Sequence, residues 1–241
     1  MDKPLAVCQT KRFLGDRELS KGVFVHPKKQ DERPERIALV GAGPASMSAA
    51  YFLALMGFKP VIFEAAPAAG GWLRYGIPEY RLPKDVLLQE VENLASMGVE
   101  IHYNTPIGPG RSIDDLMKKE GFSAVFIGVG AQDAMRIPVP GAEAAGVHWG
   151  VEYLRDSAMG KVPPLAGKRV LVIGGGNVAV DAARTAIRQG PASVMAISLE
   201  SRQEMPASAW EVEDAEHEGV SFEHRWGVKQ ILSQGGKVTG I

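Results

Sequence analysis

Short apolar runs alternate with helical stretches along most of this chain. The runs rich in strand-forming residues are 36–40, 60–63, 99–103, 124–127, 168–173, 193–198, 220–224 and 227–232, with a last short strand after the turn at 235–236. The stretches that we predict as helices are 4–15, 45–57, 84–97, 112–121, 177–189 and 208–217. Strands that alternate with helices indicate a parallel, doubly wound α/β sheet. Because the pattern restarts after about residue 150, we predict two such units.

Two stretches do not follow this alternation. Residues 16–35 are polar and resemble a linker. Residues 65–83 form a long irregular stretch that contains three glycines and three prolines. A structureless loop of that length inside a compact domain usually serves a function. We therefore expect residues 65–83 to contribute to a site.

A glycine turn joins the first strand to the first long helix. Its pattern is Gly41-x-Gly43-x-x-Ser46, in which the first glycine permits a tight turn and the second lets the backbone approach a pyrophosphate. Ser46 takes the place of a third glycine and is small enough for the helix to pack on the strand. Glu64 lies 23 residues after Gly41, at the end of the next strand, where a carboxylate accepts hydrogen bonds from ribose hydroxyls. The alternative for Glu64 is an ordinary surface acid.

The same arrangement recurs in the second half of the chain. Gly174-x-Gly176-x-x-Ala179 follows a strand and opens a helix, and Glu200 lies 26 residues after Gly174. A single motif of this kind also occurs where a helix simply packs on a strand, and Glu200 could again be a surface acid. Two motifs, each with a strand, a helix and a later acidic residue, predict two dinucleotide-binding sites.

Composition and charge exclude several classes of protein. The chain has 241 residues, 27 Lys plus Arg against 28 Asp plus Glu, and a net charge of -1, so we expect no nucleic-acid partner. Cys8 is the single cysteine, which excludes a disulfide scaffold, a self-contained iron–sulfur site and a Cys-x-x-Cys pair. Residues 37–58 carry no charge, but the glycine turn divides them into a strand and a helix that we expect to be buried on all sides. We expect a cytoplasmic protein without membrane insertion.

Five motifs together resemble a known family. They are Val40-Gly-Ala-Gly-Pro-Ala45, the segment 70–85 with Arg-Tyr-Gly-Ile-Pro-Glu-Tyr-Arg-Leu-Pro, the segment 124–131, the segment 172–185, and Glu204-Met-Pro-Ala207. With them the chain resembles the glutamate synthase small-subunit family of two-dinucleotide-domain flavoproteins. It is also similar to the flavin region of dihydropyrimidine dehydrogenase and to the large subunit of bifurcating NADH-dependent ferredoxin:NADP oxidoreductase.

The resemblance implies FAD at the first turn and a nicotinamide nucleotide at the second. It implies an N-terminal helix and linker over 1–35, an FAD-binding domain over 36–147 and a nicotinamide-nucleotide-binding domain over 148–241. For Trp72 the alternative to a flavin contact is core packing, and for Arg81 it is a salt bridge that anchors the loop. The residues implied for FAD are Gly41, Gly43, Pro44, Ala45, Glu64, Gly71, Trp72, Arg81 and Ile107. Those implied for the nicotinamide nucleotide are Gly175, Gly176, Asn177 and Val178, and the motif spacing adds Gly174 and Glu200 to this predicted site.

The sequence departs from the family pattern in three places. Leu199-Glu200 stands where the family usually has the arginine pair that contacts the 2′-phosphate of NADP, so we expect NAD(H) in preference to NADP(H), with Arg202 as the residue that could still bind a phosphate. The family commonly carries a cysteine-rich iron–sulfur segment ahead of the matched region, so we expect a partner subunit to hold the clusters. The family also returns to its FAD domain after the nucleotide domain, so we expect the C-terminal part of the fold to be missing at Ile241, either because the chain is a fragment or because a partner completes it.

The resemblance implies a flavin-dependent oxidoreductase module. Hydride passes between the nicotinamide and the flavin, and the cofactors carry that chemistry, so we expect no catalytic side chain and no metal. One alternative is a non-catalytic platform subunit that keeps the fold within a larger redox complex. A disulfide reductase of the thioredoxin-reductase type shares the architecture but requires a cysteine pair, which this chain lacks.

Overall fold

The computed structural model describes residues 5–22 and 24–241, which fall into two compact units. Unit 1 comprises the described residues up to Arg74 together with Leu82–Gly130. Unit 2 comprises Tyr75–Arg81 and Ala131–Ile241. The chain therefore changes unit three times, and the long irregular stretch at 65–83 is shared between the units. The domain boundary that we predict at 147/148 stays a prediction, and residues 1–4 of the predicted N-terminal segment lie outside the described part.

Unit 1 is a parallel sheet with helices. Its strands and helices are α1 (Val7–Leu19), β1 (Arg36–Val40), α2 (Pro44–Leu55), β2 (Lys59–Phe63), α3 (Trp72–Tyr75, which ends at the unit boundary), α4 (Lys84–Ser96), β3 (Glu100–His102), α5 (Ile113–Lys118) and β4 (Ala124–Ile127). The strand order is β3-β2-β1-β4, and all neighbours pair in parallel. Central strand β1 carries Ala38 and Leu39, which are fully buried. Two clusters of apolar side chains on α2, α4 and the strands form the core.

Unit 2 repeats the arrangement with fewer strands. Its elements are α6 (Gly150–Ala158), β5 (Arg169–Ile173), α7 (Asn177–Ile187), β6 (Ser193–Ser198), α8 (Ala209–His217), β7 (Val220–His224), β8 (Leu232–Gln234) and β9 (Lys237–Gly240). Strands β5, β6 and β7 form a parallel sheet in that order, and β8 and β9 form an antiparallel hairpin. Val180, Ala183 and Val194 are at most 1% exposed and join α7 to the sheet.

The predicted α/β fold with parallel sheets is confirmed, with four corrections to its elements. Helix α1 continues to Leu19, so the predicted linker is shorter, and residue 4 of the helix predicted over 4–15 lies outside the described part. The predicted strand at 227–232 is wrong except for Leu232, the first residue of β8; Ile231 is buried in a loop, where its N–H donates to the carbonyl of Pro140. Helix α6 is absent from our prediction, since no Ser, Thr, Asp or Asn marks its start at Trp149.

Helix α2 is the fourth correction. We predict a helix that is buried on all sides, but its buried positions, Ser46, Ala50 and Ala54, form one stripe with a spacing of four residues. Phe52 is 59% exposed on another face. The small side chains of the stripe bring the helix close to the sheet, which matters at the turn that opens this helix.

Candidate dinucleotide-binding sites

The first glycine turn follows β1 directly and opens α2. Gly41 has φ +91°, a left-handed conformation that side chains with a Cβ disfavour. A Cβ on Gly41 would also lie 2.7 Å from the carbonyl oxygen of Gly128. Gly41 is therefore required by the fold itself.

Gly43 has a different role, because nothing in the fold requires a glycine there. It is the N-cap of α2 in an ordinary extended conformation, with φ −76° and ψ 175°, and Pro44 begins the helix behind it. The nearest atom to a Cβ on Gly43 would be the Gly128 oxygen at 3.9 Å. No side chain caps the helix start at Gly43. The missing Cβ thus leaves space for another group to approach the uncapped N–H groups of α2.

Ser46 and Gly128 explain the third position of the motif. Ser46 is fully buried, and a Cβ on Gly128 would lie 2.1 Å from its Oγ. Gly128 immediately follows β4. The helix and the end of β4 therefore meet at two small residues, as the motif predicts. The Ser46 Oγ has no hydrogen-bond partner among the described residues.

Glu64 is held against the first turn. The Ala42 N–H donates to Glu64 Oε2 at 2.6 Å, and the Ala66 N–H donates to Glu64 Oε1 at 2.7 Å. The carboxylate thus joins the middle residue of the turn to the loop that follows β2. Charged hydrogen bonds of this kind are short and strong. Glu64 is therefore not an ordinary surface acid, whereas its contact with a ribose stays a prediction.

The long loop approaches the same turn. The Gly70 N–H donates to the carbonyl of Ala42 at 2.8 Å, and a Cβ on Gly71 would lie 2.9 Å from the Cα of Gly43. Gly71 has φ +51°, so both its conformation and its surroundings favour glycine. The structure thus brings Gly71 to the first turn, together with Gly41, Gly43 and Glu64.

The other residues predicted for FAD are spread over unit 1. Pro44 and Ala45 are exposed in the first turn of α2, and Trp72 is half-buried at the start of α3. Ile107 lines a cavity of about 500 Å³ that also borders Val40 and Ile127 at the carboxyl ends of β1 and β4. This is the end of a parallel sheet at which ligands bind in doubly wound folds. A flavin contact for each of these residues stays a prediction.

The second turn repeats the geometry of the first. Gly174 follows β5 with φ +134°, and its Cβ would lie 3.5 Å from the Cβ of Ala179, the third small residue of the motif. Gly176 is the N-cap of α7 in an extended conformation, with φ −96° and ψ 170°, and no side chain caps it. A Cβ on Gly176 would have nothing within 4 Å. Gly176 therefore corresponds to Gly43 as an open approach to a helix N-terminus.

Glu200 lies over the middle residue of the second turn. A Cβ on Gly175 would be 2.7 Å from Glu200 Oε2 and 3.2 Å from the Cβ of Ser198, so a larger residue would require the Glu200 side chain to move away from the turn. In the first turn the Glu64 carboxylate lies beside the equivalent residue, Ala42. The sequence spacing from each turn to its acid is thus reproduced as spatial proximity in both units.

The Glu-Met-Pro-Ala segment contacts the second turn, which we did not foresee. The Ala207 N–H donates to the carbonyl of Gly175 at 3.0 Å, and the Ser208 N–H donates to Asn177 Oδ1 at 2.9 Å. The Asn177 oxygen is therefore engaged, which leaves its NH₂ group as a donor. Val178 follows it on α7 and is 47% exposed. The motif was visible in the sequence, but its position beside the turn depends on the fold.

Arg81 has partners in unit 2. Its Nη1 donates to both carboxylate oxygens of Asp181, at 2.9 and 2.8 Å, and its Nη2 donates to Glu211 Oε1 at 2.6 Å. The structure therefore agrees with the loop-anchoring salt bridge that we consider as the alternative for Arg81. A contact of Arg81 with a flavin is not tested by these bonds and stays a prediction.

Metal and membrane features can be assessed over the described residues. Within 5–22 and 24–241, no group of three or more His, Cys, Asp or Glu side chains could hold a metal ion. Across the same part of the chain, no helix combines the length and the apolar character needed to cross a bilayer. Cys8 is exposed on α1.

Each unit has a parallel sheet, a glycine turn that opens a helix, and an acidic residue beside that turn. These features are those of an α/β protein of the dinucleotide-binding class. Comparison with known proteins makes the assignment specific. Residues 35–241 match the pyridine nucleotide-disulphide oxidoreductase family, and the chain belongs to this family.

Curated relatives confirm the resemblance to glutamate synthase small subunits. The chain is 40% identical to the NADP(+)-dependent formate dehydrogenase subunit beta of Moorella thermoacetica, over 100% of this chain and 37% of that protein. It is 34% identical to the glutamate synthase [NADPH] small chain of Escherichia coli, over 95% of this chain and 51% of that protein. The chain thus spans between about a third and a half of the length of these relatives.

A solved structure shows the same fold. FprA from Mycobacterium tuberculosis in complex with NADPH superposes with a TM-score of 0.63 at 19% identity, covering 87% of this chain and 67% of FprA. At this identity the likeness concerns the fold. The α/β architecture with parallel sheets therefore matches that of an oxidoreductase solved with a nicotinamide nucleotide.

Proposed function

We propose that the chain is an NAD(P)H–FAD oxidoreductase module, in which the first turn binds FAD and the second binds the nicotinamide dinucleotide. The observation that carries this proposal is the open backbone at Gly43 and Gly176. At both positions an ordinary residue would fit the fold, yet a Cβ would occupy the approach to a helix N-terminus. A cofactor diphosphate is the group that such an approach favours.

The helices behind both turns suit this role. Helix α2 has 12 residues and α7 has 11, and neither has a side-chain cap or an acidic residue in its first turn. Their first N–H groups are therefore available, and the positive end of each helix dipole faces the approach. Asn177 adds an NH₂ donor at the start of α7, because its oxygen accepts from Ser208.

Each turn also has a carboxylate for a ribose. Glu64 uses one lone pair on each oxygen for the N–H groups of Ala42 and Ala66, and a carboxylate has about four acceptor sites, so ribose hydroxyls can still donate to it. Glu200 lies beside Gly175 in the corresponding position. The proposed contacts of these two acids with ribose hydroxyls follow from this placement.

When bound, the nicotinamide supplies hydride chemistry and the flavin receives it. The residues of the chain bind and orient the two cofactors, and no side chain is required to act as nucleophile or acid. The relatives are named as a subunit beta and as a small chain, which supports a partner subunit. An iron–sulfur partner that takes up the electrons and a cytoplasmic location are parts of the same proposal.

The choice between NADH and NADPH depends on Glu200 and Arg202. A carboxylate beside the second turn would accept from a free 2′-hydroxyl and repel a 2′-phosphate. Arg202 forms a two-pronged ion pair with Glu216, with Nη2 at 2.8 Å from Oε2, so its charge is already matched. These contacts support our preference for NADH. The relatives named above have NADP or NADPH in their names, which opposes it.

Reconstitution with cofactors tests the proposal. The purified chain is incubated with FAD, freed of unbound flavin, and mixed anaerobically with NADH or NADPH while flavin absorbance is followed. We expect a yellow protein that NADH bleaches faster than NADPH, and Glu200→Arg should reverse this order. Faster bleaching by NADPH in the unaltered chain would refute the NADH preference. A folded protein that binds neither FAD nor NADH nor NADPH would refute the module and favour the non-catalytic platform.

A further inference from the structure

Residues 75–81 of the long loop pack in unit 2, although the loop on either side of them packs in unit 1. We call these residues the 75–81 segment. Its last two residues, Tyr80 and Arg81, make polar contacts with α7 and α8. They contact Asp181 and Arg184 of α7 and Arg188, the C-cap residue of this helix.

Arg81 bridges two helices. Its guanidinium donates to both carboxylate oxygens of Asp181 on α7 and to one carboxylate oxygen of Glu211 on α8. The side chains of Asp181 and Glu211 are 12% and 3% exposed, so two carboxylates are largely buried around one cation. Burial raises the pKa of the Glu211 carboxyl, and the charge of Arg81 opposes that rise. Without Arg81, two acidic groups would lie buried with little compensation.

Tyr80 adds a second attachment on the same helix face. The centroid of its ring lies 3.5 Å from the guanidinium carbon of Arg188 and 4.6 Å from that of Arg184. Its hydroxyl donates to Asp181 Oδ1 at 3.1 Å. Cations over an aromatic ring are attracted to its face. The ring and the hydroxyl of Tyr80 thus fix the segment along α7.

Helix α7 also carries the second glycine turn. Asn177 begins the helix, and Asp181 lies one turn further along the same helix. At the other end of the loop, Gly70 and Gly71 contact the first turn through Ala42 and Gly43. One continuous stretch of chain, from Gly70 to Arg81, therefore contacts the structure of both proposed binding sites.

We propose that Tyr80 and Arg81 are positioning residues that couple occupancy of the second turn to the order of the loop at the first turn. This inference rests on the proposed function. A ligand that requires α7 and α8 in their native arrangement stabilises every segment that docks on that arrangement. The 75–81 segment docks on both helices, and it is covalently continuous with residues 70–74. Binding at one turn should therefore be felt at the other without a direct contact between ligands.

Hydrogen–deuterium exchange of the full chain tests this coupling without FAD or turnover. Peptides covering 69–74, 75–83 and 174–187 are followed with and without saturating NADH, and in parallel with NADPH. Because Arg81→Lys removes at least one charged hydrogen bond that holds the segment to α7 and α8, exchange of 75–83 should become at least about tenfold faster. Tyr80→Phe keeps the ring beside Arg184 and Arg188 and should give a smaller increase. Arg155→Lys, which alters an arginine paired with Asp156 on α6, is the matched control and should leave this peptide unchanged.

The nucleotide experiment separates the inference from the proposed function. In the unaltered chain, we expect the bound nucleotide to slow exchange both at 174–187 and at 69–74. In Arg81→Lys, slowing should persist at 174–187 and disappear at 69–74. Slowing confined to 174–187 in the unaltered chain, or unchanged exchange of 75–83 in Arg81→Lys, would overturn the coupling while leaving the nucleotide site intact. Absence of slowing at 174–187 with either nucleotide would overturn the proposed site, and the coupling with it.

Discussion

Glu64→Gln replaces one carboxylate oxygen by an NH₂ group at the point where this side chain holds the first turn. In the unaltered chain both carboxylate oxygens accept a backbone N–H, from Ala42 and from Ala66. A glutamine amide has one oxygen and one NH₂ group. In either orientation, one backbone N–H then faces another donor. The variant therefore removes one hydrogen bond without changing the size of the side chain.

The magnitude follows from the character of these bonds. A hydrogen bond to a charged group contributes about 1.5–3 kcal/mol, and the surviving bond loses its charge. Ala42 is fully buried, so the amide oxygen should face the Ala42 N–H, and the half-buried N–H of Ala66 then loses its acceptor. We expect Glu64→Gln to lower the free energy of unfolding of unit 1 by about 2–4 kcal/mol. With a urea dependence of about 1–3 kcal/mol per molar, the unfolding midpoint should fall by about 1–2 M.

The assay must report on unit 1 alone. Trp72 lies in unit 1, so a background that retains only this tryptophan reports there by fluorescence during urea unfolding. The other three, which are replaced by Phe in that background, are Trp149, Trp210 and Trp226.

Glu92→Gln is the matched control, because Glu92 is exposed on α4 of the same unit. It makes the same chemical change away from the turn and should shift the midpoint by less than about 0.3 M. A shift for Glu64→Gln as small as that of the control would refute the inference that the carboxylate holds the turn together. The test needs no cofactor, so it is independent of whether FAD binds.

Three further substitutions test other parts of the structure. Ser46→Ala should leave the free energy of unfolding unchanged or raise it by up to about 1 kcal/mol, because the buried hydroxyl has no partner among the described residues; a clear loss in urea unfolding would contradict this. Arg184→Met should lower the free energy of unfolding by about 1.5–3 kcal/mol, because Glu218 loses its hydrogen bond to this buried guanidinium at 2.6 Å but keeps its ion pair with Arg188 at 2.6 Å; a loss under about 0.5 kcal/mol in urea unfolding would contradict this. Burial raises the pKa of Tyr153 from 10.0 to about 12, so its neutral form is favoured in the folded state. This contribution to the free energy of unfolding is complete below pH 10 and is lost as the pH rises towards 12. Between these pH values the unaltered chain should therefore lose about 2–3 kcal/mol more free energy of unfolding than Tyr153→Phe. The same pH dependence of the free energy of unfolding in both proteins would contradict this.

The two turns could be predicted from the sequence because their determinants are local. Each consists of a glycine spacing between an apolar strand and a helix, and the acid follows at the end of the next strand. In a parallel sheet the carboxyl ends of neighbouring strands meet at the same edge, so Glu64 and Glu200 reach their turns by topology alone. The sequence could not show that Glu64 binds the N–H of Ala42, because that depends on a side-chain rotamer.

The partners of Arg81 were not predictable in this way. Asp181 is 100 residues away along the chain and Glu211 is 130, so no local pattern connects them. The resemblance to flavoproteins assigns Arg81 to the flavin side, and the structure adds a role in anchoring the loop to unit 2. A short loop segment that packs in another unit leaves no signal in hydrophobic periodicity.

The wrong strand at 227–232 has a similar cause. The run contains β-branched and aliphatic residues, which favour a strand when a neighbouring strand is available. Here Ile231 is 6% exposed because it packs beside the loop at Pro140, whose carbonyl accepts its N–H. Strand propensity reflects how well a side chain fits a half-buried surface. For Ile231 the loop at Pro140, rather than a neighbouring strand, provides that surface.

The most direct test of the account is the binding of FAD and of NADH or NADPH to Gly43→Ala and Gly176→Ala, measured by titration on chains whose unfolding curves match that of the unaltered protein. An added methyl group fits the fold at both positions but lies where each diphosphate is proposed to approach. We predict that Gly43→Ala loses FAD and keeps the nicotinamide nucleotide, and that Gly176→Ala does the reverse. Unaltered affinity of either variant for its own cofactor would contradict the claim that these helix N-termini hold the diphosphates.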